Sequence, residues 1–140
     1  MIVLDTNVIS EADKPSPNAA LMQWLDRQQA HDLYLCGPVI MELAFGAERH
    51  RIRSGSDKYT RILVRLEGQF HGRIFEFDGQ APMVTGKIRA QREATGRAIS
   101  VQDAMIVAIC IVHGARLATR NVRDFDGLDL GLVNPFEASA

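Results

Sequence analysis

The chain opens on four apolar residues, Met1-Ile2-Val3-Leu4, followed at once by a carboxylate, Asp5. An apolar run without polar alternation suits a strand covered on both faces, and such strands belong to parallel sheets flanked by helices. The rest of the chain keeps to that plan. Leu33-Tyr34-Leu35-Cys36, Ile74-Phe75-Glu76-Phe77 and Arg116-Leu117-Ala118-Thr119 are further short strand candidates, with a weaker one from Asp129 to Val133. Between the first two, after a loop punctuated by Pro15 and Pro17, Leu21, Trp24 and Leu25 recur at helical spacing. Gly37-Pro38 then opens a helix, with proline where its missing N–H costs nothing. That helix carries Val39, Leu43 and Ala47 on one face and ends in the Arg49 to Arg53 run before Ser54-Gly55-Ser56. Helical segments follow over Lys58 to Gln69, with Ile62, Leu63 and Leu66 as the apolar stripe, and over Ala81 to Ala94. A last helix starts at Ser100, stops at Gly114 and is apolar almost all round, which predicts burial on every side. Strands alternating with helices define a doubly wound α/β domain, and 140 residues suit one domain, 1–140.

A hydrophobic content of 46% is enough to build a core without disulfides. Cys36 and Cys110 lie in apolar runs and read as reduced core thiols, as expected of a cytoplasmic protein. Only four apolar residues precede the first charge, Asp5, too few for the apolar region of a secretory signal, so none is expected. The longest uncharged apolar run, Ala104 to Val112, is well short of the ~20 residues needed to cross a bilayer, and no membrane role is expected. A net charge of −1 gives no global pull towards nucleic acid. Its distribution is uneven, however. Arg49, Arg51, Arg53, Lys58, Arg61, Arg65 and Arg73 form one basic stretch, and Lys87, Arg89, Arg92 and Arg97 another. Either these are solvated helix faces, or they track phosphates beside an acidic site.

Ligands of open α/β sheets bind beyond the carboxyl ends of the strands. Four acidic residues fall there. Asp5 directly follows the first strand, Glu42 lies in the helix after the second, Asp103 is in the first turn of the apolar helix, and Asp124 comes shortly after the fourth strand. Each has a plain structural alternative. Asp5-Thr6-Asn7 could form an Asx-type turn with a helix cap, Glu42 could be solvated, Ser100-Val101-Gln102-Asp103 could be a relative of the capping box, and Asp124 could cap a turn. Carboxylates converging in one cleft raise one another's pKa unless something neutralises them, and a hard divalent cation does so economically. Mg²⁺ or Mn²⁺ suits carboxylate oxygens, whereas His31, His50, His71 and His113 are scattered without zinc-ligand spacing and read as surface or packing residues.

Val3-Leu4-Asp5-Thr6-Asn7-Val8-Ile9-Ser10 resembles the opening motif of PIN-domain nucleases, closest to the VapC-type toxins of bacterial toxin–antitoxin pairs, including the FitB-like branch. The resemblance continues through Met41-Glu42-Leu43, Asp103-Ala104-Met105-Ile106-Val107-Ala108 and Thr119-Arg120-Asn121-Val122-Arg123-Asp124-Phe125, and so covers essentially the whole chain. It implies a three-layer α/β/α sandwich on a mostly parallel sheet and a Mg²⁺- or Mn²⁺-dependent endoribonuclease. It also implies a homodimer that acts on RNA and is silenced by a cognate antitoxin, a small DNA-binding protein. Carried over by position, Asp5, Glu42 and Asp103 are acidic site residues, with Asp5 and Asp103 as metal ligands. Some members of the family have an Asp where this chain has Asn121; others match its Asp124. The fourth role is given to Asp124, with Glu42 and Asp124 as further metal ligands and Thr6, Thr119 and Asn121 as polar supports. The resemblance also predicts an exposed apolar groove around Leu43 to Ala47 and Ile62 to Leu66 that receives the antitoxin.

Two rivals stand beside this reading. A phosphatase of the haloacid dehalogenase type would use Asp5 as nucleophile, but wants a second Asp where Asn7 stands and a late lysine, whereas the last lysine is Lys87. The other is a non-catalytic dimeric module that docks RNA or an antitoxin on the acidic cup.

Overall fold

The structure, a computed structural model, describes residues 1–137. Its strands are β1 (Ile2–Leu4), β2 (Leu33–Cys36), β3 (Ile74–Phe75), β4 (Arg116–Ala118) and β5 (Leu132–Val133). The helices are α1 (Thr6–Ala12), α2 (Ala19–Arg27), α3 (Gly37–Ser54), α4 (Lys58–Gln69), α5 (Ala81–Ala94) and α6 (Val101–His113). The strands form one sheet in the order β3-β2-β1-β4-β5, and every pairing is parallel. By the right-handed crossover rule for parallel strands, α1 to α4 fall along one face as the sheet grows from β1 to β3. The chain then returns through α5 and α6 on the other face to place β4 on the far side of β1. Among the helices, α3 packs on α4 and α5 on α6, while α3 also meets α6. The switch in direction lies between β1 and β4, where such sheets open a crevice at their carboxyl edge.

β1 is buried throughout, as its uninterrupted apolar run requires. In α6, Ala104, Ile106, Val107, Ala108, Ile109 and Cys110 are all fully buried, so the helix is clasped through its middle and reaches solvent at its two ends, at Val101 and Val112. Gly114 ends α6 in the left-handed region, φ 65°, where a side chain would be strained, and the chain turns directly into β4. Cys36 and Cys110 are free, buried thiols, and burial pushes the Cys36 thiol up to about 12. His113 stacks on Phe75 and His50 meets the edge of Tyr59, both as packing residues. No helix among the described residues is long and apolar enough to cross a membrane.

Three local differences from the sequence reading have simple causes. The segment after Asp5 is a helix, α1, rather than a loop; seven residues with a Thr-Asn start are too few to display a period, although Val8 and Ile9 are buried. β3 and β5 are only two residues each, because Phe77 and Asp129 lie outside the paired register. The basic stretches are also less free than their sequence suggests. Arg73 donates to the carbonyls of Ala30, Leu33 and Gln69, Arg51 pairs with Glu48, and Arg61 pairs with Asp57 at 3.0 Å.

Leu117, fully buried in β4 between β1 and β5, tests the frame that carries the site. Leu117→Ala should lower the unfolding free energy by about 2–5 kcal/mol in urea denaturation. A loss below about 1 kcal/mol would mean that β4 is not packed as described.

Candidate active site

Asp5 leaves the end of β1 as the N-cap of α1, and only 6% of its surface is exposed. Its Oδ1 accepts the Thr6 backbone N–H at 2.8 Å, and its Oδ2 accepts the Thr119 hydroxyl at 2.8 Å from the end of the adjacent β4. Asn7 completes this corner. Its amide nitrogen lies 3.4 Å from both Asp5 Oδ2 and Thr119 Oγ1, while its Oδ1 accepts the Arg120 N–H at 3.2 Å. The Thr119 hydroxyl also accepts the Asn121 N–H at 3.1 Å. The cap and the site are therefore one arrangement, and Asp5 is oriented by groups on both sides of the switch point.

Glu42 stands on α3 and is exposed. Its Oε2 accepts the Thr6 hydroxyl and the Gln102 amide, so α1, α3 and α6 meet at one carboxylate oxygen. Asp103 sits in the first turn of α6, where the Ser100 hydroxyl caps its backbone N–H at 3.1 Å. Asp124 belongs to the one-turn segment Val122–Phe125, pinned by buried Phe125. From below, Arg92 donates to the carbonyls of Asp124 at 2.6 Å and Asp126 at 3.4 Å.

The electrostatics tie the four together. Burial pushes the Asp103 carboxyl above its ordinary value, and the charges of Asp5, Asp124 and Glu42 push it further, against the Ser100 hydroxyl. Burial likewise raises Asp5, with Glu42 adding to it, while Thr119, the Thr6 N–H and Asn7 oppose the rise. Asp5, Glu42, Asp103 and Asp124 thus share one field, as four carboxylates at the carboxyl edge should. None of them forms an ion pair among the described residues, whose salt bridges lie elsewhere. The available donors are hard oxygens, which fit Mg²⁺ or Mn²⁺ and not a thiol- or imidazole-seeking metal. Among the described residues no three acidic or imidazole side chains stand grouped tightly enough to enclose an ion by themselves. An ion held here would be shared between a few carboxylates and water, as small hard cations commonly are.

Comparison with known proteins agrees with this geometry. The PIN-domain profile matches residues 2–129. The chain belongs to the PIN-domain family. It is 36% identical to VapC ribonuclease Y4jK of Sinorhizobium fredii, over 98% of this chain and 99% of that protein. To Toxin FitB of Neisseria gonorrhoeae it is 33% identical, over 97% and 99% of the two chains. Among solved structures, a chain of the FitAB complex bound to an IR36 DNA fragment superposes with a TM-score of 0.88 at 31% identity, covering 100% of this chain and 99% of that one. A chain of FitAcB from Neisseria gonorrhoeae gives 0.84 at 32% identity, covering 97% and 99%. The phosphatase reading falls with this assignment, and Asn7, whose amide is engaged by Asp5, Thr119 and Arg120, is not an ionisable acid or base.

Three contributors escaped the sequence reading. Asn7 and Gln102 were passed over beside more telling neighbours, since a single amide in a helix carries no pattern. Arg92 did leave a signal: Ala81, Thr85, Ile88 and Arg92 follow helical spacing along the buried face of α5, so an arginine there had to find partners.

The raised carboxyl of Asp103 makes a prediction about stability. The folded chain holds that proton more tightly than the unfolded chain, so Asp103 costs stability increasingly as pH rises from 3.8 through its raised value. The full cost is present at neutral pH. In EDTA, Asp103→Asn should therefore raise the melting temperature at pH 7, and the gain should vanish below about pH 4. A variant that melts at or below the wild-type temperature at pH 7 would contradict the shared field.

Proposed function

We propose that this protein is a divalent-metal-dependent endoribonuclease acting as the toxin of a bacterial toxin–antitoxin pair. The observation that carries the reading is the gathering of four carboxylates around the sheet's switch point: Thr6 links the Asp5 corner to Glu42, Gln102 beside Asp103 reaches the same Glu42 oxygen, and Asp103 and Asp124 line one cleft. No cationic side chain of the described residues is paired to any of them. Relatives named VapC ribonuclease and Toxin FitB support it.

Bound Mg²⁺ or Mn²⁺ would supply charge neutralisation and Lewis-acid activation of water and phosphate. Asp5 and Asp103 are the ligands we assign to it. Asp5 is buried and locked by Thr119, Thr6 and Asn7, so its carboxylate is presented without a loss of rotamer freedom at binding. Glu42 is held through one oxygen by Thr6 and Gln102, which leaves its Oε1 for a water or a second ion. Asp124 completes the cup, and Thr119 and Asn121 are its polar supports. No histidine lies in this constellation, so proton transfer falls to a carboxylate or to water.

The antitoxin has a matching surface. A groove of about 440 Å³ runs from Thr6 and Glu42 between α1, α3 and α4, floored by Leu43, Ala47, Ile62 and Leu63. We assign this groove to an amphipathic antitoxin segment, which would end beside the carboxylates. The same reading includes a homodimer in the cytoplasm.

Asp5→Asn and Asp103→Asn should each reduce RNA cleavage by on the order of a thousandfold, with unchanged circular dichroism. EDTA should abolish wild-type cleavage, and added Mn²⁺ should restore it. Cleavage that persists in EDTA, or in either variant, would defeat the proposal. In the groove, Leu63→Asp should weaken capture of the co-expressed antitoxin while leaving RNA cleavage intact.

A further inference from the structure

A second, polar cleft of about 270 Å³ adjoins the acidic cup, lined by Arg92, Arg97, Ser100, Asp103, Arg123 and Asp124 among others. Its construction separates three arginines into two kinds. Arg92 is buried at 8% exposure and is spent on backbone: it donates to the carbonyl of Arg97 at 3.2 Å and to those of Asp124 and Asp126. It thereby fastens the two walls of the cleft, residues 97–100 and the Val122–Phe125 turn, to the end of α5. Arg97 and Arg123 are exposed, and neither has an ion pair or a side-chain hydrogen bond among the described residues. Two guanidinium groups without protein partners are thus carried on clamped backbone beside a cleft that also contains Asp103 and Asp124.

Resting on the nuclease reading, we propose that this cleft is an RNA-backbone subsite in which Arg97 and Arg123 hold a phosphate flanking the cleaved bond. The chemistry of the lining selects this ligand. Arginine presents a planar fork of donors that matches phosphate oxygens. The carboxylates of Asp103 and Asp124 in the same lining can only accept hydrogen bonds and repel another anion at close range. A ribose–phosphate chain satisfies both, since it alternates anionic phosphates with 2′-hydroxyl donors. An acidic peptide would satisfy the arginines and set its remaining carboxylates against Asp103 and Asp124.

The test is binding without cleavage. Fluorescence anisotropy of a labelled single-stranded RNA of mixed sequence, in EDTA, compares the full-length wild type with Arg97→Gln, Arg123→Gln and the double variant. Each single change should weaken binding by about tenfold at low salt. The slope of log affinity against log salt should fall by about 0.7 per arginine removed. Arg→Lys at either position should recover most of the salt slope, because the charge remains. A polyglutamate competitor should displace the RNA poorly. Wild-type affinity and slope in the double variant overturn the subsite while leaving the nuclease reading intact. RNA affinity that depends on both arginines, in a protein that cleaves nothing with Mn²⁺ added, supports the subsite and removes the nuclease reading. No RNA binding by the wild type, or efficient displacement by polyglutamate, overturns the subsite as an RNA site.

Discussion

The hydrogen bond from the Thr119 hydroxyl to Asp5 joins the ends of β1 and β4, and the rest of the site is arranged around it. These two strands are far apart in sequence but adjacent in the sheet, on either side of the point where the chain reverses its direction of growth. A buried carboxylate is expensive unless its lone pairs are met, and Asp5 receives a hydroxyl, a backbone N–H and an amide. Those donors do not cancel the cost, for burial still holds its carboxyl above the usual range. They do fix its direction. Thr6, next in the chain, then reaches Glu42, and Gln102 reaches the same oxygen from α6, so orientation passes outward from Asp5 to the exposed rim.

Much of this was legible in the sequence because the informative features were local. The apolar run before Asp5, Pro38 at the start of α3 and the unbroken apolar length of α6 each announce an element without any knowledge of its neighbours. The positions of Asp5, Glu42, Asp103 and Asp124 followed from one rule about sheet edges and a resemblance running through the chain. What stayed hidden depended on pairs. Nothing near Gln102 says that it faces Glu42, sixty positions away in the chain. α1 is too short to show periodicity, and its boundaries are set by the Asp5 cap and the turn at Asp13. For Ser100-Val101-Gln102-Asp103 the cap and the acidic site had been posed as alternatives. They coexist, because the cap uses the Asp103 backbone and leaves its carboxylate to the cup.

The basic residues show why counting charges along a chain is a weak guide to binding. Arg73 and Arg92 belong to two basic stretches, yet each directs its guanidinium to backbone carbonyls, and Arg92 is almost wholly enclosed. A guanidinium donates in several directions at once, and loops without regular pairing are rich in unmet carbonyls. Arginine therefore serves as a clamp wherever two loops must be held at a fixed distance. Arg120 does similar work, bonding to Glu11 and lying over the Phe136 ring while its own N–H is held by Asn7.

Repulsion within the cup and clamping below it are linked. Carboxylates that share one field push the segments that carry them apart, and the push grows as they ionise. The elements least able to resist would be those with little regular structure, above all the one-turn segment bearing Asp124. That segment is held from two directions: Phe125 is sunk in the core, and Arg92 grips the carbonyls on either side of it. Asp103 is held differently, at the start of the most deeply buried helix, where moving it would mean dislodging α6 itself. The fold thus places Asp103 on a helix it cannot afford to move and Asp124 on a turn tied to another helix, and the shape of the cup is set by the chain itself.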